Sequence, residues 1–212
     1  MKPGPTWSLS VVVAALGCAS ANSGGGIAGG GVVPDPAIHV RERVVHSDVE
    51  GATVEELARA LDRSGPRIPE GRFRGLTRWN VSWRYRYTRR GGACAIVDAD
   101  VRLEVTTTLP RWRRAADAGL ELERKWRDYL AALEGHEAGH RNYAVRAANE
   151  MLTTLRDLRT ASCGHIEDEA NARGRWILER FRALNREYDR ETRHGRTQGA
   201  TWPPAERVEG GP

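Results

Sequence analysis

The chain has 212 residues, of which 40% are hydrophobic and 29% charged. This length suffices for one domain with its own core but hardly for two, and the composition argues against a disordered or fibrous protein. The longest apolar run, residues 9–16, is shorter than the roughly 20 residues of a membrane-spanning helix, which excludes a polytopic membrane protein. The formal net charge is +5. Basic and acidic residues nevertheless alternate along the chain, so we expect no nucleic-acid partner, which needs a one-sided basic surface.

The N-terminus has the order of a secretory signal peptide: Lys2, an apolar stretch, then Gly17 and Cys18. Residues 15–18, Ala-Leu-Gly-Cys, also resemble the lipobox of bacterial lipoproteins, in which the cysteine is lipidated and becomes the mature N-terminus. We therefore predict a signal peptide at residues 1–18 and lipidation at Cys18. Cleavage within residues 19–21 is the alternative. The following segment, residues 19–37, is rich in Ser and Gly near its start and is predicted to be a flexible linker.

Two cysteines, Cys94 and Cys163, remain once Cys18 is assigned to the lipid or to the removed peptide. In an exported protein the one possible pairing predicts a disulfide, with two buried free thiols as the alternative. We expect a periplasmic or outer-membrane lipoprotein that is attached to the membrane through its lipidated N-terminus.

The first half of the predicted domain is β-rich. Residues 38–45 have β-like composition, and residues 53–61 predict a short helix capped by Thr53, with Glu56 completing a capping box. Aromatic and polar residues then alternate over residues 79–88, and apolar residues occupy the odd positions of 95–105. Separated by a Gly-Gly turn, these two segments predict a long antiparallel hairpin.

The second half is predicted to be helical. Apolar residues recur at intervals of three and four over residues 118–155, which predicts one long helix or two in series, and again over residues 166–188. Gly135 and Gly139 inside the first stretch suggest that another backbone approaches the helix closely there.

These elements predict an α+β fold in which helices pack on one face of a small antiparallel β-sheet. The expected boundaries are residues 38–201 for the domain and residues 202–212 for a disordered tail.

Residues 136–140, His-Glu-Ala-Gly-His, are a HExxH motif within the predicted long helix. His136 and His140 lie four residues apart and so project from one helix face, at a separation suited to one zinc ion. Glu137 follows the first ligand and is predicted to act as the general base for a water molecule at the metal. Two histidines that never bind metal are the alternative.

A catalytic zinc ion needs a third protein ligand and one open position. The richest downstream cluster begins at Tyr188. His194 is the first choice as ligand, since Gly195 allows the chain to turn, and Asp189 is the second. If His194 binds the metal, Asp189 is expected to accept the outer N–H of a ligand histidine. Tyr188 is predicted to donate to the oxyanion, with a core tyrosine as the alternative. His165 is a weaker ligand candidate.

Taken together, several segments resemble the predicted secreted zinc-dependent protease family catalogued as domain of unknown function 922, over about residues 40–201. They are Trp79-Asn-Val-Ser-Trp83, Cys94, Thr108-Leu-Pro-Arg-Trp112, the HExxH motif, Cys163 and Tyr188-Asp-Arg-Glu-Thr-Arg-His194-Gly195. The resemblance implies a bacterial envelope protein with a HExxH zinc site, and the late Asp/His-Gly segment fits a completing ligand.

The leading functional hypothesis is therefore a zinc-dependent metallopeptidase of the bacterial envelope that acts on a peptide or protein substrate bound along a sheet edge. A non-catalytic binding or scaffold module stabilised by a closed zinc site is the main alternative. A third hypothesis is an arginine-rich protein that binds anionic lipid or polysaccharide, which requires a one-sided positive surface.

Overall fold

The structure, a computed structural model, describes residues 31–69 and 71–205. The predicted signal peptide, Cys18 and most of the predicted linker lie outside the described residues. The elements are β1 (Ile38–Gly51), α1 (Val54–Ser64), β2 (Arg67–Ile68), β3 (Gly71–Arg72), β4 (Leu76–Arg90), β5 (Ala93–Arg114), α2 (Leu120–Asp157), β6 (Arg159–Thr160), α3 (Ile166–Thr192) and a 3₁₀ helix (Arg196–Gln198). The predicted α+β class is confirmed.

The central sheet has the order β1-β5-β4, with β6 added to one end of β5. Strands β4 and β5 form the predicted antiparallel hairpin, closed by Gly91 and Gly92, both with positive φ. Strand β1 runs parallel to β5, with Ile38 opposite Val101 and Gly51 opposite Arg114. The sheet is thus mixed and not antiparallel throughout. Between β1 and β5 the chain passes through α1, β2, β3 and β4, and this long connection permits the parallel pairing of β1 with β5.

A β-bulge changes the predicted pattern of β5. The register between β4 and β5 shifts where Arg86 pairs with Asp98 and Tyr87 pairs with Ile96, so Val97 has no partner. Val97 is consequently 49% exposed, whereas Ile96, at an even position, is buried. The extra residue reverses which side chains face the core, and simple alternation does not reveal such a reversal.

The helices pack on one face of the sheet, and their side chains form two hydrophobic clusters. The first joins the sheet to the C-terminal half of α2 and to α3, and it contains Leu103, Met151 and Phe181. The second joins α1 to the start of α2 around the rings of Trp126 and Trp202. Since α2 is one continuous helix of 38 residues, it links both clusters. No helix in the described part of the chain has the length and apolar character to cross a membrane.

The folded domain extends beyond both predicted boundaries. Asp35, within the predicted linker, accepts a hydrogen bond from Arg156 and donates its own backbone N–H to Asn149 on α2. Trp202, placed in the predicted disordered tail, is buried and donates its indole N–H to the carbonyl of Val54. A buried aromatic ring with a satisfied polar atom fixes this segment to the domain.

The predicted disulfide between Cys94 and Cys163 is present, with a Cα–Cα distance of 5.0 Å. It connects β5 to the segment before α3 across 69 residues of sequence. On the chain-entropy model such a loop closure stabilises the fold by roughly 4 kcal/mol.

Candidate metal centre

The HExxH residues lie on α2 between the two hydrophobic clusters. Leu133, one turn before the motif, belongs to the cluster around Trp126, and Ala144, one turn after it, belongs to the cluster on the sheet. The side chains of His136, Glu137 and His140 continue this inward face and are 3%, 4% and 7% exposed. Burial of polar groups is costly unless they have partners, so the contacts of these side chains decide what the site is.

Both histidines converge on Asp189 of α3. Nε2 of His136 lies 3.2 Å and Nε2 of His140 lies 3.1 Å from Oδ1 of Asp189, and the two Nε2 atoms are 3.3 Å apart. Ligand atoms at about 2.0–2.1 Å from a tetrahedral zinc ion are separated by about 3.3–3.4 Å. The triangle formed by these three atoms therefore has the size of one face of a zinc coordination sphere. His136, His140 and Asp189 form a possible metal-binding group.

The outer nitrogens of both rings face amide oxygens. Nδ1 of His140 is 2.6 Å from Oδ1 of Asn185, whose own NH₂ donates to the carbonyl of Phe181. Nδ1 of His136 is 2.9 Å from Oε1 of Gln198. An amide oxygen only accepts, so both Nδ1 atoms carry the proton. If both rings are neutral, this tautomer directs the Nε2 lone pairs at each other and at the Asp189 carboxylate, so either a proton or a metal cation between these atoms removes the repulsion.

The carboxylate of Asp189 is ionised in this environment. Burial acts to raise the pKa of Asp189, but its hydrogen bonds with His136 and His140, together with the charges of His140 and His194, hold the pKa well below its usual range. Burial acts to lower the pKa of His140, but the hydrogen bond and the charge of Asp189 outweigh it and raise that pKa. The site thus gathers negative charge next to two imidazole nitrogens, as cation ligands require.

The Glu137 carboxylate is hydrogen-bonded to a residue of β4 and not to His136, His140 or Asp189. Its Oε2 accepts a hydrogen bond of 2.7 Å from Oγ1 of Thr77 at the start of β4. The other oxygen, Oε1, lies so near Gly75 that a Cβ there would come within 2.5 Å of it. Burial raises the pKa of Glu137, opposed by the Thr77 hydrogen bond and by both histidines. Among the described residues only Oε2 has a hydrogen-bond donor, so Oε1 is available to a water molecule.

A cleft of about 450 Å³ opens onto the site. All three candidate ligands and Glu137 line it. Its apolar wall comes from β2, from the residue after β3, from the start of β4, from α2 and from the C-terminal segment. The apolar residues are Ile68, Phe73, Leu76, Leu133, Ala200 and Trp202. The cleft is large enough for several residues of an extended peptide, and one end of β4 reaches its edge.

Tyr188 lies behind the histidines and does not line the cleft. Its ring stacks on that of His136 at 5.0 Å and meets that of His140 edge-on at 5.1 Å. Its hydroxyl donates to the backbone carbonyl of His136 and contacts Gln198. The Tyr188 hydroxyl thus faces the backbone of His136 and the side chain of Gln198, whereas the predicted oxyanion donor needs a hydroxyl that faces the cleft.

Gly139 has no side chain, and this allows the Tyr188 ring to lie close to α2. A Cβ at Gly139 would lie 2.3 Å from the Tyr188 hydroxyl, whereas nothing lies within 4 Å of one at Gly135. The close approach to α2 predicted from these glycines is therefore made at Gly139, by a side chain and not by a backbone.

Of the two residues predicted as third ligand, Asp189 and not His194 lies in the possible metal-binding group. Asp189 lies on α3 within reach of both motif histidines, whereas the side chain of His194 is 56% exposed and contacts Asp189 through Nδ1 at 3.3 Å. Arg193, His194 and Gly195 all have positive φ, which ends α3 and turns the chain. Gly195 sits against His136, where a Cβ would lie 2.9 Å from the ring. His194 therefore lines the cleft beside the ligand group but does not belong to it.

His165, the weaker candidate, precedes α3 by one residue. At a rise of 1.5 Å per residue it lies about 35 Å from Asp189 along the helix axis, so it does not reach the site.

Three residues that contact the site were not predicted from the sequence: Thr77, Asn185 and Gln198. Asn185 precedes Asp189 by one helical turn. Had the third helix been predicted to continue past residue 188, this spacing would have placed Asn185 and Asp189 on the same helix face. Thr77 and Gln198 carry no such local signal.

Comparison with known proteins identifies the family of the chain. The model of a family described as bacterial protein of unknown function (DUF922) matches residues 44–195, and the chain therefore belongs to this family. The matched range includes His136, His140 and Asp189 as well as Glu137 and both disulfide cysteines. No curated protein and no solved structure matches the chain.

Proposed function

We propose that this member of the DUF922 family is a zinc-dependent peptide hydrolase of the bacterial cell envelope. The observation that carries the proposal is the convergence of three lone-pair atoms, two imidazole Nε2 and one carboxylate oxygen, at mutual distances of 3.1–3.3 Å in a cleft that also contains a buried glutamate.

The donor set fits zinc. Two imidazole nitrogens and one carboxylate oxygen are ligands that zinc accepts in protein sites, and the outer N–H of each imidazole is fixed by an amide oxygen, as metal-binding histidines require. Among the described residues the group has three protein ligands, the number found in catalytic zinc sites, while structural sites have four. This count favours an enzyme over the alternative of a scaffold module closed by a fourth ligand.

His136, His140 and Asp189 would hold the ion. When bound, zinc supplies a lowered pKa for a coordinated water, about 7, and polarises a carbonyl oxygen. Glu137 accepts the water proton at Oε1, because Oε2 is engaged by Thr77, and then delivers this proton to the leaving amine. A raised pKa suits this double role, since Glu137 must release the proton as readily as it takes it up.

The envelope location rests on the disulfide and on the bacterial family. Disulfides persist in exported proteins and are rare in the reducing cytosol. Lipidation at Cys18 remains a prediction from the N-terminal sequence, and mass spectrometry of the mature protein tests it directly.

The decisive experiment measures zinc by elemental analysis and peptide cleavage on the same preparations. Wild type is compared with His136→Ala, Asp189→Ala and His194→Ala. We expect one zinc per chain in wild type and in His194→Ala, loss of zinc in the other two, and cleavage of a mixed peptide library that stops with a chelator and returns with added zinc. Wild type that stays metal-free under saturating zinc contradicts the site, and zinc-loaded wild type that cleaves no peptide contradicts the enzyme.

A further inference from the structure

The rim of the cleft carries more positive than negative charge. Among the described residues, four arginines line it, Arg72, Arg74, Arg193 and Arg196. Within the same part of the chain, the carboxylates that line it are Glu137 and Asp189, both assigned above to the reaction centre. A bound zinc ion would add two positive charges. The cleft is therefore electropositive although the surface as a whole alternates basic and acidic side chains.

Two of these arginines are committed to the fold. Arg74 forms an ion pair with Asp62 of α1, with its Nη2 2.7 Å from Oδ1. Arg72 donates from Nη1 to the carbonyl of Gly65 at 2.8 Å. Both contacts fix the segment between α1 and β4 that forms one side of the cleft.

The other two have no such partner among residues 31–69 and 71–205. Arg193 and Arg196 are exposed and take part in no side-chain hydrogen bond or ion pair within these residues. Elsewhere in the molecule some exposed arginines pair with carboxylates, as in Arg86–Asp98, Arg111–Asp48 and Arg156–Asp35, whereas others, such as Arg175, have no such partner within these residues and face solvent. Two unpaired guanidinium groups that face a cleft are free to bind a carboxylate from a ligand.

The backbone that carries these two arginines is anchored next to the metal ligands. The N–H of His194 donates to the carbonyl of Asp189, and the N–H of Gln198 donates to the carbonyl of Gly195. Gly195 itself is in contact with the ring of His136. Arg193 and Arg196 flank this contact in sequence, so a carboxylate bound to them lies close to the reaction centre.

We propose that the cleft selects peptides with a carboxylate close to the scissile bond, and that Arg193 and Arg196 bind it. This inference rests on the proposed function, for which it names the substrate class. A guanidinium group offers two parallel N–H donors to a carboxylate, an arrangement stronger than a neutral hydrogen bond. The electropositive cleft also favours the encounter with an acidic peptide at low salt.

The kinetic test uses internally quenched peptides in which each position within three residues of the scissile bond is in turn Glu, Gln or Lys. At one position or more we expect Glu to raise kcat/KM about tenfold over Gln, mainly through KM, and Lys to lower it. The variants Arg193→Glu and Arg196→Glu remove or invert this preference. Equal kcat/KM for Glu, Gln and Lys at every position overturns the proposal.

Arg175→Glu is the matched control. Arg175 is exposed on α3, does not line the cleft, and lies about 27 Å along the helix axis from Arg193, which follows the last residue of α3. The substitution changes the net charge by the same amount, so it reports any effect of overall charge. If Arg175→Glu weakens the preference for Glu as much as the cleft variants do, no local recognition exists and the proposal fails.

A binding arm separates this inference from the proposed function. Fluorescence anisotropy measures the affinity of labelled Glu and Gln peptides for Glu137→Gln, with and without zinc. Tighter binding of the Glu peptide that Arg193→Glu abolishes supports the inference even if no peptide is cleaved. Cleavage without any such difference supports the enzyme and overturns the inference. An α-linked Glu peptide and a γ-D-glutamyl cell-wall peptide, compared in both arms, distinguish a protein substrate from a cell-wall substrate.

Discussion

Two neighbouring stretches of α2 both have buried side chains, but these side chains are apolar in one stretch and polar or ionisable in the other. In the C-terminal stretch the buried residues are apolar and completely enclosed: Ala144, Val145, Ala147, Ala148 and Met151 are each 0% exposed. In the HExxH stretch, one turn earlier, the buried residues are His136, Glu137 and His140. The first stretch gains free energy from burial, at about 25 cal/mol per Å² of apolar surface, whereas the second must offset desolvation with hydrogen bonds.

The difference separates stability from function within a single helix. The apolar stretch holds the sheet and α3 in place, and that packing brings Asp189 to the two imidazoles. The polar stretch contributes the two imidazole Nε2 atoms of the possible metal-binding group. We therefore expect substitutions in the two stretches to separate cleanly: one set changes the free energy of unfolding, and the other changes metal affinity and turnover.

The largest expected effect is that of Glu137→Gln on turnover. The amide cannot take up the water proton, and general base catalysis contributes about 10²- to 10⁴-fold, so kcat should fall within that range. Zinc content and the urea midpoint should stay close to those of wild type, since the substitution removes only a charge. Full activity in this variant would remove Glu137 from the mechanism.

Asp189→Ala tests the ligand group next. It removes the oxygen on which both imidazoles converge, and we expect zinc affinity to fall more than about 100-fold, beyond the effect of losing an outer partner. His194→Ala is the paired variant and should change zinc affinity only a few-fold. A competition titration with a chromogenic chelator measures both. The reverse outcome would return the third ligand to His194.

Leu152→Ala addresses the apolar stretch. Leu152 is 1% exposed in the cluster on the sheet, and its truncation should lower the free energy of unfolding by about 2–5 kcal/mol. Zinc affinity of the folded protein should remain unchanged. Leu120→Ala on the same helix is the control, because Leu120 is 80% exposed and should cost less than about 0.5 kcal/mol. Urea denaturation of the metal-free protein gives both values.

Asn185→Ala tests the contact between the Nδ1 atom of His140 and the Asn185 amide oxygen. Loss of the amide oxygen leaves Nδ1 of His140 without its acceptor, so zinc affinity should fall about 10- to 100-fold. Asn171→Ala on the same helix, far from the site, serves as control. Equal affinities of the two variants would mean that Asn185 does not orient the ligand.

The smallest effect concerns a carboxylate outside both stretches. Hydrogen bonds from Arg111 and Arg113 lower the pKa of Asp48 to about 2 from the ordinary 3.8. A lowered pKa means that Asp48 contributes stability above about pH 4 and loses this contribution as the pH falls from about 4 to about 2. Asp48→Asn should flatten the pH dependence of Tm in this window by a small amount, because the group is exposed. Identical pH profiles would contradict the prediction.

Local patterns in the sequence were enough to predict much of the fold. The hairpin followed from alternation and a Gly-Gly turn, and the single pairing of Cys94 with Cys163 followed from cysteine count and export. The HExxH pair followed from helical periodicity, since residues four apart on a helix must share a face. Each of these properties depends on neighbours in sequence or on simple counting.

Features that depend on contacts between distant segments were harder to predict. The bulge at Val97 and the burial of Trp202 depend on partners far along the chain, and neither changes the local pattern in a recognisable way. The parallel pairing of β1 with β5 likewise depends on how the whole crossover packs and not on either strand alone.

The amino-acid sequence alone determined that two imidazoles and a glutamate share one helix. Only the tertiary structure shows that Asp189, and not His194, lies next to both imidazoles. The predicted third helix ended at residue 188, but α3 continues to Thr192, which keeps Asp189 on the helix one turn after Asn185. The left-handed turn at residues 193–195 then directs His194 to the mouth of the cleft. Which residues form the possible metal-binding group thus depends on where α3 ends and how it packs on α2, and both depend on contacts between segments some 50 residues apart.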